Sequence, residues 1–548
     1  MQMHRLGRFG RHPLVKGILL ALAPVIVLPF TSGVAFAVCN TAGTTVTCTT
    51  GSSTNNLSNS TDNVTVNVQT GAVISSPPIV GGTSLTLSGN GVTLNNQGTI
   101  DPTTNSGGLA LVMAGSVLGN ASANTIAVNN QAGGTMRGMF NIASLFGFGG
   151  QALTVQNGAG GNTTISNGGI IGMALLAGTN TADAAAVVTY GGGSVNFTNT
   201  GTITGRIGLG TASSGSNSFV NAGTLNGSLY LGDSAAGSTF TAVSGSSINA
   251  SGGTAAAGTM TGVTGVKLAA AGTVSAGTGA NNALVLQNIA SGPGSGTGGG
   301  TTTISATNYL GFQHLTVHSG TWNLQGALVS ADATLNDGLV NFNAANVFGS
   351  GSLTVNGGAL AASNAGLVLA NNVALNGGLT LGGINGFGFG GSLSGTGGLT
   401  VNASAPIQLN GANTFGGGIA LNAGGLLLGN AGALGSGALN VNGNASLDAS
   451  IGLSLGNAIN LGAGNTLSLL GGQALTFNGA IGGAGGLAKS GAALLTLNGA
   501  NTFGGGFALN GGGLLLGNAG ALGSGALNVN GNATLDASIG LSLGNAIN

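Results

Sequence analysis

Asn199-Thr-Gly-Thr-Ile203-Thr-Gly-Arg-Ile-Gly-Leu-Gly210 is followed, 22 residues on, by Asn221-Ala-Gly-Thr-Leu225-Asn-Gly-Ser-Leu-Tyr-Leu-Gly232. Within each phrase apolar residues alternate with Thr, Ser, Asn or Gly, the period-2 pattern of a strand with one buried face, while Gly and Asn supply turns. Shorter echoes lie at residues 96–100 and 167–170. The second half repeats more strictly. Residues 409–460 recur as 497–548, offset by 88, and differ only at Ile419/Phe507, Ala423/Gly511 and Ser446/Thr534. Since 88 is four times 22, the expectation is a solenoid with four coils to each sequence unit.

Composition agrees with stacked coils. Glycine supplies 113 of 548 residues, glutamate is absent and charged residues make up 3 %, yet 42 % of the chain is apolar, spread evenly from end to end. So apolar a chain is not a disordered one. One coil cannot bury its own Leu, Val, Ile and Ala, so each stacks on the equivalent residue of the next. Asn at recurring turn positions is expected to form side-chain amide ladders, each hydrogen bond contributing roughly 1 kcal/mol. At about 22 residues per coil and about 4.8 Å per step, the rod would be roughly 110 Å long. The sequence thus predicts an all-β solenoid in two regions, 38–290 and 303–548, joined by a Gly/Ser-rich linker or loop at 291–302 that holds Pro293.

The first 37 residues form a secretory signal: Arg5, Arg8, Arg11 and Lys16, then an apolar core, then a small-residue stretch with Ala35 and Ala37 at the −3 and −1 positions of the expected cleavage. The apolar core, broken by Pro24 and Pro29, is too short for the roughly 20 residues of a bilayer span. Cleavage leaves Arg137, Arg206, Lys267 and Lys489 against eight aspartates. Such a chain has no electrostatic footprint for nucleic acid and no polybasic membrane patch. Cys39 and Cys48 are the only cysteines, and a small-loop disulfide between them suits an oxidising compartment. Fastening the first coil in this way is worth roughly 2–3 kcal/mol.

Gly485-Gly-Leu-Ala-Lys-Ser-Gly491, the two Asn-Thr-Phe-Gly-Gly-Gly runs at 413–418 and 501–506, and the two Leu-Gly-Ser-Gly runs at 434–437 and 522–525 carry a family signature. This region resembles the autotransporter-associated β-strand repeat, strongly from about residue 393 onward and only in general character before it. The resemblance implies a right-handed parallel β-helix and a passenger region of a Gram-negative type V secreted protein, displayed on the cell surface or released. It also implies an outer-membrane barrel after the passenger. No run of about ten-residue amphipathic strands with aromatic girdles occurs here, so the reading frame is expected to continue past Asn548. The implied partner is a ligand on host cells, matrix or other bacteria.

Candidate chemistry is sparse. Gly232-Asp-Ser-Ala-Ala-Gly237 resembles the nucleophile strings of GDSL lipases and of GDSG serine proteases, against a simple turn. A trypsin-like triad needs a histidine upstream of Ser234, but His4 and His12 leave with the signal. A GDSL site needs aspartate three residues before its histidine, where His314 has Gly311 and His318 has Leu315. In Phe312-Gln-His-Leu-Thr-Val-His318 the alternation puts both histidines on one outward face about 13 Å apart, too far to share a metal ion. Asp332 and Asp337 are the one close carboxylate pair and are expected to flank a turn. Lys489-Ser490 follows Ala488, not the glycine of a phosphate loop. The Phe-bearing stretches 145–149 and 386–390 are expected at coil corners, with an exposed adhesive patch as the alternative. The reading is therefore non-enzymatic, structural or adhesive, with no cofactor, no metal and no nucleic-acid partner; a passenger hydrolase and an inert stalk are the alternatives.

Overall fold

A computed structural model describes residues 38–50, 53–76, 82–105, 114–139, 150–173, 181–213 and 215–548. Ala35 and Ala37, the residues of the expected cleavage, and the 145–149 stretch lie outside these residues. The chain forms a three-faced parallel β-helix, and its described residues include two short 3-10 turns but no α-helix. Face one is a fifteen-stranded sheet running from Val38–Ala42 to Leu393–Ser394. Its first two strands pair antiparallel, with Cys39 opposite Cys48, and all the rest are parallel. A five-stranded sheet from Leu453–Leu455 to Ala533–Ala537 takes the same face in the last coils. Inward Leu, Val, Ile and Phe form one continuous core from Val46 to Leu527.

The repeated phrase explains how faces two and three join. Strand Thr202–Gly208 pairs with Ile170–Met173 through its first half and with Ala185–Tyr190 through its second. The corner between the halves is Gly205, at φ +123°, where a Cβ would come 2.7 Å from the Ala186 Cβ and 2.8 Å from the Ala184 carbonyl oxygen. Only glycine adopts that conformation without strain in so little space. The second phrase stacks residue for residue on the first, from Thr202 beside Thr224 to Gly208 beside Tyr230. A spacing of 22 is thus one coil at this point.

That spacing does not hold elsewhere. Asn67 and Asn95 stack at a separation of 28, Asn95 and Asn129 at 34, and Ser238 and Asn282 at 44, because corner segments bulge out between strands that keep their register. In the second half the coils tighten to between 18 and 22 residues. The largest described excursion covers residues 250–272. It includes the antiparallel pair Gly258–Thr259 and Lys267–Leu268, and packs Met260, Val266 and Leu268 over Ala185 and Val188.

The 88-residue unit also departs from expectation. Ile419 stacks on Leu439 and then Ile459, followed by Ile481, whose carbonyl accepts the Thr502 N–H. Four coils therefore carry face two from Ile419 only to Thr502. The counterpart of Ile419, Phe507, lies one face further on, between Leu487 and Leu527. One unit makes four coils plus one face, so the second copy is turned about the axis relative to the first.

Near residues 291–302 face one runs unbroken, through Ala283–Gln287 and His314–Val317. Face two stops at Ser247–Asn249 and resumes as a ten-stranded sheet at Thr301–Ser305. Face three stops at Tyr309–Leu310 and resumes only at Leu367–Leu369, so the two coils between cross that face without a strand. The 386–390 stretch is a strand and not a corner: Phe387 and Phe389 point inward at 2 % and 0 % exposure, with Gly388 outward against Gln408. Alternation with the smallest residue turns both rings into the core and removes the adhesive-patch alternative for this stretch.

Candidate functional site

Ser234 follows the corner glycine Gly232, at φ +86°, where the repeated phrase ends. It is 2 % exposed and its Oγ donates to the Gly215 carbonyl at 2.6 Å. The hydroxyl fastens one turn to the preceding coil, as the turn reading requires. Both histidines of the described residues are engaged on face one. His314 Nδ1 lies 2.9 Å from Asp332 Oδ1 on the next coil, and His318 Nδ1 lies 2.9 Å from Asn336 Nδ2. Leu315 and Val317 between them are buried, so the alternation read from sequence holds. Asp332 opens a strand, Asp332–Leu335, instead of flanking the turn, and Asp337 Oδ2 accepts the Gly296 N–H. Among the described residues no group of three or more His, Cys, Asp or Glu side chains is placed to hold a metal ion.

The polar cluster that does form centres on Asp233, beside the serine that the motif singles out. Its Oδ2 accepts from Lys267 Nζ at 2.7 Å. Its Oδ1 accepts from the Tyr230 hydroxyl and from the Thr278 N–H and hydroxyl. Burial alone would raise the Asp233 pKa, but these donors outweigh it and hold the carboxyl well below the usual range. Tyr230 is pushed up, first by burial and then by its bond to Asp233. A carboxylate so fully occupied by fixed donors is a tether and not a proton acceptor. It ties Lys267, on the 250–272 excursion, to the solenoid wall. Asp183 and Arg206 clasp the same excursion from its other side: the Asp183 carboxylate accepts the Thr254 and Ala255 N–H groups, while Arg206 donates from Nε to Asp183 O and from Nη1 to Ala256 O.

The residues of the family-like runs also have structural work. Asn413 accepts the Leu393 N–H on the coil before and donates to Ala433 O on the coil after; Asn501 does the same with Ile481 and Ala521. Phe415 and Phe503 fill the core beside them. Lys489, 1 % exposed, donates from Nζ to the Ser490, Gly491 and Gly511 carbonyls. Burial lowers its pKa. The disulfide joins Cys39 and Cys48. No protein-family model, no curated protein and no solved structure matches this chain.

Proposed function

We propose that this chain is the passenger of an exported, autotransporter-like protein, structural or adhesive in role and without catalytic activity. What supports it best is order along the chain: a stretch at residues 1–37 with the basic, apolar and small-residue regions of a secretory signal, then at once a disulfide-fastened first coil, then a long parallel β-helix. A disulfide suits an oxidising compartment. A β-helix with one unbroken sheet along most of its length presents a long, repetitive, nearly uncharged surface, which suits display at a distance from the membrane. The stalk reading shares this support, because consecutive coils differ so little in surface chemistry. Expressed from its complete native gene in a Gram-negative host, the mature chain should begin at Val38 by N-terminal sequencing and be removed from intact cells by added protease. Full-length, uncleaved protein confined to the cytoplasm would sink the proposal. Loss of cell binding on deleting the passenger separates adhesion from a stalk.

A further inference from the structure

The interruption of face three has a chemical consequence. Among the described residues, strand Tyr309–Leu310 pairs only with Val274–Ser275, and Leu367–Leu369 only with Phe387–Phe389. Each therefore turns an open parallel edge toward the other across two coils that contribute no strand. Ala276 and Val274 donate to the carbonyls of Leu310 and Asn308, so Leu310 faces the paired side and Tyr309 aims its N–H and C=O at the gap. On the far edge Gly390 donates to Leu369 O, and by the same alternation Val368 aims its backbone inward to the gap. Between them lies a groove of about 710 Å³. Phe312, Leu328 and Val329 form its buried floor, and Leu310 stands 41 % exposed on its wall. None of the described residues that line it is charged.

We infer that this groove binds an extended, uncharged peptide segment, added as a parallel strand along the open edge at Tyr309. Unpaired strand edges are met most directly by another backbone, and an apolar cleft beside them selects alternate side chains. A groove of this size holds a few residues of such a chain. The strands that cover face three elsewhere show the pattern that fits: Leu367-Val-Leu369, Phe387-Gly-Phe389 and Ile407-Gln-Leu409, apolar at both ends and small or neutral between. A polyanion or a charged peptide would have no counter-charge here. The inference stands whether or not the chain is exported.

The test uses the full chain and a panel of acetylated, fluorophore-labelled hexapeptides. One copies residues 405–410, and the others keep its apolar third and fifth positions with varied neutral residues between. At least one peptide should bind saturably in fluorescence polarisation and slow hydrogen exchange at the Tyr309 amide by tenfold or more. Ala345→Trp, an exposed residue on the groove, should weaken binding at least tenfold, while Ala365→Trp, exposed outside it, should not. Failure of every peptide to bind, unchanged exchange at the Tyr309 amide, or equal binding to Ala345→Trp would each overturn the inference. So would concentration-dependent self-association, abolished by Ala345→Trp, without peptide binding, since a second copy would then be the occupant.

Discussion

Asn199 shows how much one polar side chain does inside this solenoid. It belongs to a buried ladder in which each amide Nδ2 donates to the next Oδ1: Asn96 to Asn130, Asn130 to Asn167, Asn167 to Asn199 and Asn199 to Asn221, at 2.7–2.9 Å. Replacing Asn199 by Ala breaks two rungs and strands a buried donor and a buried acceptor. Unmet buried groups cost about 1–3 kcal/mol each, so Asn199→Ala should clearly lower the denaturation midpoint and speed exchange in the neighbouring coils. Asn422 sits in an exposed ladder with Asn402 and Asn442; there water replaces the lost partners, and Asn422→Ala should shift the midpoint little. Equal effects at the two sites would contradict the buried-ladder account. These ladders were legible because Asn recurs in phase with the apolar alternation. Buried Lys489 and Arg206 were not, because what accepts their protons is backbone carbonyl, which carries no sequence signal. Nor does sequence show that Gly471 and Gly512 leave room for the ammonium: a Cβ on either would lie 2.9 Å from Lys489 Nζ.

Strands and excursions differ in the same way. The strands follow from alternation, and the corners from Gly and Asn, so the all-β architecture and the inward set of side chains could be read directly. The 250–272 excursion could not, because its hold on the wall comes from pairs distant in sequence, Asp183 with Ala255 and Asp233 with Lys267. The same limit hid the groove on face three, since a strand that is missing from one coil is defined only by its neighbours. Asp233 makes the excursion pH-sensitive. Its carboxyl titrates lower in the folded chain than in the unfolded one, where it titrates near 3.9. Its contribution is therefore complete above that value and is lost as pH falls toward the folded pKa. Hydrogen exchange at Met260, whose N–H is bonded to Val266 O, should accelerate on acidification relative to face-one amides, after correction for the intrinsic rate. Asp233→Asn should show the faster exchange already at pH 7 and lose the acid response. An unchanged pH profile in that variant would remove Asp233 from the tether.

At the scale of the whole rod, the chain has two periods that do not coincide. Core stacking sets the coil, about three strands per turn, whereas duplication set the 88-residue unit, and nothing requires one to be a multiple of the other. A parallel β-helix tolerates the mismatch because its three faces pose nearly the same problem to a short strand: two inward apolar residues and one outward. Asn413 and Asn501 illustrate this, making equivalent bonds beside face one in the first copy and beside face two in the second. Local signals therefore fix each strand without fixing its face. Any surface feature the unit carries is displayed in a new direction with each copy, so the duplicated chain presents its surface around the axis and not along one stripe. Cross-linking reads this rotation directly. Ala508 lies in register with Ala488 on face three, both partly exposed; a unit of four whole coils would instead place Ala508 beside Gly482 on face two. Adjacent parallel strands lie about 4.8 Å apart, within the Cα separations a disulfide spans. In a chain with Cys39 and Cys48 left paired, the double variant Ala488→Cys/Ala508→Cys should oxidise readily to an intramolecular disulfide, whereas Gly482→Cys/Ala508→Cys should keep two free thiols. The reverse pattern would show that duplication preserved the face, and the second copy would then extend the first copy's surface in a straight line.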